Sequence, residues 1–126
     1  MKNQIFIQNF PIFVGKNEKG RAIFANKRFK VGDVIEVAPI LKFKYIPENQ
    51  LYEDEYSFEW NDEYWCIALG YGSLYNHSYN ANAKFVRDFS NETISFIAVK
   101  QISALEEITI NYGGHNSTDK VWFDTK

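Results

Sequence analysis

Short apolar runs, each closed within a few residues by a turn signal, leave this chain little choice but strands packed into small sheets. Ile5 and Ile7 alternate with polar neighbours, and Ala22-Ile23-Phe24-Ala25 follows the turn signal Asn17-Glu18-Lys19-Gly20. A second turn, Lys30-Val31-Gly32-Asp33, opens Val34-Ile35-Glu36-Val37-Ala38, which Pro39 is expected to end or to confine to a sheet edge. Thr93-Ile94-Ser95-Phe96-Ile97-Ala98-Val99 reads as a buried strand, and Glu107-Ile108-Thr109-Ile110-Asn111-Tyr112 as an alternating one, with Ser103–Glu107 as the tight connection before it. The one helix expected is short, at Pro47–Tyr52, with proline near its start and acids suited to its positive end. No repeat or linker divides the chain, so residues 1–126 are expected to form one domain, with an acidic, aromatic insertion at about 45–65 and a polar tail over 113–126.

A single domain of 126 residues can bury about two thirds of the surface its unfolded form exposes, enough for an ordinary core without disulfides. Cys66 is the sole cysteine, and with His77 and His115 it is too sparse for a structural zinc site, so no metal is expected. No apolar stretch approaches the roughly 20 residues that span a bilayer, and Met1–Gln8 mixes polar with apolar residues and lacks a cleavage site. The expectation is an intracellular protein, in the cytoplasm or in the nucleoid or nucleus, with no membrane partner.

Charge is uneven beneath a net −2. Between Tyr45 and Ala83 there is no Lys or Arg, while Glu48, Glu53, Asp54, Glu55, Glu59, Asp62 and Glu63 place seven acids within sixteen positions. Such a stretch is either a solvated face or an attractive field for a cationic partner. It argues against direct nucleic-acid binding, which needs a basic stripe.

Three segments could carry chemistry. In Lys19-Gly20-Arg21-Ala22 the glycine either makes a turn or lets the backbone approach a ligand. Gly70–Ala83 contains Asn76-His77-Ser78 and Ala81-Asn82, polar groups that are costly to bury without partners. Glu106-Glu107-Ile108-Thr109-Ile110-Asn111-Tyr112-Gly113 runs a strand into a tyrosine and a glycine pair, where packing and catalysis are both open roles for Tyr112. Cys66, inside an apolar run, reads as core rather than as a nucleophile paired with His77.

In this order, from about Gly20 to Tyr112, the three segments resemble the SET-domain family of protein lysine methyltransferases, and are most similar to the minimal single-domain forms of bacteria and large viruses. Gly20–Ala25 is similar to the family's opening turn and strand, Asn76-His77-Ser78 with Ala81-Asn82 to its central motif, and Glu106–Gly113 to its closing one. The sequence departs at Ala22, Tyr79 and Ala81, where glycine, cysteine and proline are usual, and it has no cysteine after Cys66 for the zinc segment of larger members.

The resemblance implies a mostly β fold of several short curved sheets, with one or two short helices and a C-terminal pseudoknot. It implies S-adenosylmethionine as methyl donor, bound near Lys19, Gly20, Arg21, Asn76 and His77; without a zinc segment, Trp122 and Phe123, the only aromatics after Tyr112, are expected to fold back over the cofactor or the channel. Tyr112 would be the catalytic residue, and Tyr64, Trp65 and Tyr71 would line the channel of a substrate lysine. The acidic insertion would then draw a basic, lysine-containing protein or peptide, and a homodimer is compatible with so small a domain. Two rival expectations remain: a catalytically inactive SET-like module that binds basic peptides, and a small β interaction or carbohydrate-binding domain.

Overall fold

The computed structural model describes residues 10–44 and 56–118. The expected strand at Ile5–Ile7, the helix at Pro47–Tyr52, and Trp122 and Phe123 lie outside the described residues. Among those described, nine strands form two sheets: β1 (Ile12–Asn17), β2 (Gly20–Ala25), β3 (Val34–Lys44), β4 (Ser57–Glu59), β5 (Tyr64–Ala68), β6 (Asn76–His77), β7 (Ala83–Asp88), β8 (Thr93–Ala98) and β9 (Glu107–Ile110). One sheet has the order β1-β2-β9-β6 and the other β4-β5-β3-β8-β7. The helical content among the described residues is one 3-10 turn, Gly72–Leu74. The architecture is the mostly β one expected.

Local turn chemistry accounts for the first hairpin. Asn17 Oδ1 accepts the Lys19 N–H at 2.9 Å, and Gly20 takes the left-handed conformation, φ +103°, that closes a tight β1–β2 connection at little steric cost. Part of the expected insertion is regular too. Residues 57–68 form a β4–β5 hairpin, whose turn is held by Asn61 Oδ1 accepting the Glu63 and Tyr64 N–H groups, each at 2.9 Å.

Pro39 does not end its strand. β3 runs through it, in the middle of the sheet. The reason is a handover: residues 34–39 pair with β8, the ladder stopping at Pro39↔Thr93, and residues 40–44 pair with β5, starting at Ile40↔Ala68. The missing N–H falls where one ladder ends and the next begins, so neither loses an internal bond. The Pro39 carbonyl still accepts the Leu69 N–H, at 2.9 Å.

β9 is antiparallel to β2, with Ile23↔Ile108, and parallel to β6, with Asn76↔Thr109 and His77↔Ile110. The parallel pairing needs a crossover, which the β7–β8 hairpin supplies between them. Insertion of this late segment between two earlier ones is the arrangement the expected C-terminal knot requires. It also changes how β9 is buried. Instead of alternating, Ile108, Thr109, Ile110 and the following Asn111 are all buried, because elements packed on both faces of the sheet cover the strand there. The core beneath joins Ile23, Ile94, Phe96, Ala98, Ile102, Ile108 and Ile110, and Cys66 is packed within it, its thiol pushed up to about 11 chiefly by burial.

Candidate functional site

The register of β6 on β9 decides what meets what. Because His77 lies opposite Ile110 and the Ser78 N–H continues the pairing to the Ile110 carbonyl, the chain leaving β9 delivers Tyr112 to the His77 ring. The Tyr112 N–H donates to His77 Nδ1 at 3.0 Å. An Nδ1 that accepts carries no proton, so the ring is the neutral tautomer protonated at Nε2. Burial, and then the Lys19 charge, hold the His77 pKa below its ordinary value. The Nε2 atom is buried without a hydrogen-bond partner among the described residues. An unmet donor of this kind costs about 1–3 kcal/mol.

The Tyr112 hydroxyl points the other way, donating to the Tyr75 carbonyl at 2.5 Å. Tyr75 is itself fixed: its ring is 1% exposed and lies 4.4 Å from the Phe96 centroid. The Tyr75 hydroxyl donates to Glu36 Oε1 at 2.7 Å, and Glu36 Oε2 accepts the Tyr71 N–H at 2.9 Å. Burial pushes the Glu36 carboxyl above its usual range, against the lowering effect of those two bonds. Tyr75 is raised well above an ordinary phenol, first by burial and then by Glu36. Phe58, from β4, turns its ring edge towards Tyr112, with centroids 6.5 Å apart and planes at 60°.

Around β9 a second polar group gathers the cofactor candidates. Asn76 Nδ2 donates to Glu107 Oε2 at 2.9 Å and to the Arg21 carbonyl at 3.2 Å. Asn17 Nδ2 reaches Glu107 Oε1 at 3.1 Å, and Lys19 Nζ is 4.0 Å from the same oxygen. Asn82 clamps β9 from the side: Nδ2 donates to the Glu107 carbonyl at 2.8 Å, and Oδ1 accepts the Thr109 N–H at 2.9 Å.

Of the residues expected from sequence, Lys19, Gly20, Arg21, Asn76, His77 and Tyr112 are thus brought to one region of the four-stranded sheet. Tyr71 is tied by its N–H to Glu36 in the five-stranded sheet, and Glu36 reaches Tyr112 only through Tyr75. Tyr64 and Trp65 sit at the start of β5, opposite Lys44 and Phe43. Alternation sets Trp65 on the face away from Cys66 and its partner Phe58, and Tyr64 lies under the Lys42 ammonium, 5.0 Å from the ring centroid. Sequence reasoning passed over Glu36, Phe58, Tyr75 and the role of Asn82. Only Asn82, inside a motif, carried a local signal. Among the described residues there is no group of three or more metal-ligating side chains and no helix long and apolar enough to cross a membrane.

Residues 20–113 match the family model described as the SET domain. A Schizosaccharomyces pombe protein named histone-lysine N-methyltransferase, H3 lysine-37 specific, is 33% identical over 110 residues, covering 84% of this chain and 71% of that protein. The crystal structure of a candidate histone methyltransferase of Plasmodium falciparum superposes with a TM-score of 0.65 at 30% identity, over 82% of this chain and 93% of that one. A chain of an active polycomb repressive complex 2 shares the fold, with a TM-score of 0.70 at 20% identity over 81% of this chain and 15% of that one.

Proposed function

The chain belongs to the SET-domain family of protein lysine methyltransferases, and from that premise we propose that it moves a methyl group from S-adenosylmethionine to a lysine amine of a basic protein or peptide, with Tyr112 as the catalytic residue. The observation that carries this reading is the Tyr112 N–H to His77 Nδ1 bond, which places the tyrosine beside a buried histidine whose Nε2–H has no partner among the described residues. An orphaned donor next in β6 to Asn76, with the Lys19 charge acting on its ring, fits a cofactor rich in acceptors. Lys19, Gly20, Arg21, Asn76 and His77 would hold it, with Trp122 as a further candidate. S-adenosylmethionine supplies, when bound, a methyl group activated by a positive sulfonium.

What the chain itself must do is position the reactants and keep the amine neutral. A free lysine amine has a pKa of ~10.4, and an apolar, water-poor surrounding such as Phe58 and the Tyr112 ring lowers it by disfavouring the ammonium. The Tyr112 proton is committed to the Tyr75 carbonyl, so its oxygen meets the reactants with lone pairs. In that state the phenol orients N–H and C–H groups as an acceptor rather than abstracting a proton. Most of the acceleration would then come from alignment for in-line attack, for which positioning alone can supply about 7–11 kcal/mol.

A basic substrate is supported by the exposed acids Glu59, Asp62 and Glu63 on the β4–β5 hairpin that carries Phe58, and by the histone named for the fission-yeast relative. The test is calorimetric titration with S-adenosylhomocysteine, followed by methylation of histone peptides. Saturable binding that disappears in His77→Ala, with transfer to lysine, is the expected result. Absence of binding both alone and with peptide present would refute the reading.

A further inference from the structure

The groups that hold the Tyr112 hydroxyl lead away from the cofactor candidates and end on a carboxylate in β3. Tyr112 donates to the Tyr75 carbonyl at 2.5 Å, and Tyr75 in turn donates its own hydroxyl to Glu36 Oε1 at 2.7 Å. The second Glu36 oxygen takes the Tyr71 N–H at 2.9 Å, so one side chain grips the loop at both ends of residues 71–75. The loop is shaped to that grip. Gly70 adopts φ +63°, and a Cβ there would stand 2.6 Å from Glu36 Oε2; the 3-10 turn then carries the chain to Tyr75. The Tyr75 ring is fully buried and packed against Phe96.

Resting on the reading of Tyr112 given above, we infer that Glu36 is a positioning residue for the reaction: through Tyr75 it fixes the carbonyl that aims the Tyr112 hydroxyl. Even half-burying a carboxylate is costly, and a strand position needs none for packing. Here the carboxylate gives both oxygens to one five-residue loop, whose last carbonyl is the partner of the phenol.

The test combines kinetics with a readout that needs no cofactor. Protein labelled with 13C at the tyrosine Cζ is compared as wild type, Glu36→Gln, Tyr75→Phe and the double variant, the Tyr112 resonance being identified by its loss in Tyr112→Phe. The Tyr112 resonance is expected to shift in Glu36→Gln and in Tyr75→Phe, with no further shift in the double variant, because both act along one path. In turnover assays kcat should fall about tenfold or more, misplacement of this kind being costly without contact to the reactants, while the dissociation constant for S-adenosylhomocysteine changes less than about twofold. Falling thermal stability with an unmoved Tyr112 resonance and unchanged kcat would mean a merely structural carboxylate and would overturn the inference. Should Glu36→Gln fail to fold, Tyr75→Phe, which keeps the packed ring, decides alone by the same two readouts. An inactive wild type whose Tyr112 resonance still responds to Glu36 would refute the methyl-transfer reading while leaving the Glu36–Tyr112 coupling demonstrated.

Discussion

Replacing Asn82 with alanine removes one buried amide and with it both bonds that clamp β9 from the side. Asn82 is 7% exposed and Thr109 9%. In Asn82→Ala the Thr109 N–H loses its 2.9 Å acceptor and the Glu107 carbonyl its 2.8 Å donor. A buried polar group left unmet costs about 1–3 kcal/mol. The half-buried Glu107 carbonyl can recover part of this through water, so the loss is about 2–4 kcal/mol in total. Against a domain stability of about 5–15 kcal/mol that is a large fraction. At this chain length it corresponds to a fall in Tm of roughly 10 °C. The backbone of Asn82, whose carbonyl accepts the Val99 N–H at 2.9 Å, is untouched, so the effect isolates the side chain. Urea unfolding of wild type, Asn82→Ala and Asn82→Asp measures it. The Asn82→Asp change would keep the acceptor for Thr109 but set a carboxylate against the Glu107 carbonyl, so it should rescue little. A loss below about 1 kcal/mol in the alanine variant would show that β9 is held by its ladders alone, and the clamp argument would be wrong.

Tyr112→Phe should bind S-adenosylhomocysteine as wild type does while kcat falls about 10²-fold or more, the size of effect seen when one positioned polar group is removed; near-normal turnover would remove Tyr112 from the reaction. Gly72→Ala places a Cβ 2.5 Å from Ala68 Cβ and 3.1 Å from Ala38 Cβ, so thermal denaturation should show a loss of about 1–3 kcal/mol from overpacking; an unchanged Tm would mean that the loop yields. Because His77 is held below its ordinary pKa, the unfolded chain takes up its proton more readily. The contribution is therefore fully present above the unfolded pKa of ~6.5 and is lost as pH falls from there through the folded value. Urea unfolding at pH 7.5 and pH 5.5 should show wild type losing more stability on acidification than His77→Gln, and equal losses would contradict the assignment of the neutral tautomer.

Some of this protein was legible along the chain because it is decided within a few residues. Turn chemistry at Asn17–Gly20 and Lys30–Asp33, a strand at Thr93–Ala98 and the placing of Cys66 in the core follow from neighbours in sequence, although that strand buries only Ile94, Phe96 and Ala98 rather than its whole run, and the motif segments around Asn76, His77 and Tyr112 identified a family whose membership is borne out. Other features had no local signal. Pro39 looks like a strand end until two different partners are known to divide β3 at that residue. The alternation of Glu107–Tyr112 suggests one wet face, which elements packed onto the sheet then cover. Glu36 is one acid in a strand, separated by 39 positions from the Tyr75 hydroxyl that gives it meaning, and Phe58 is one of eleven phenylalanines. Local sequence determined the strands, the turns and the residue types available for chemistry, since backbone preference and side-chain period act over a few residues. Tertiary structure alone decided which of those residues meet, because burial on both faces of a strand and hydrogen bonds across tens of residues depend on where the sheet brings distant segments together.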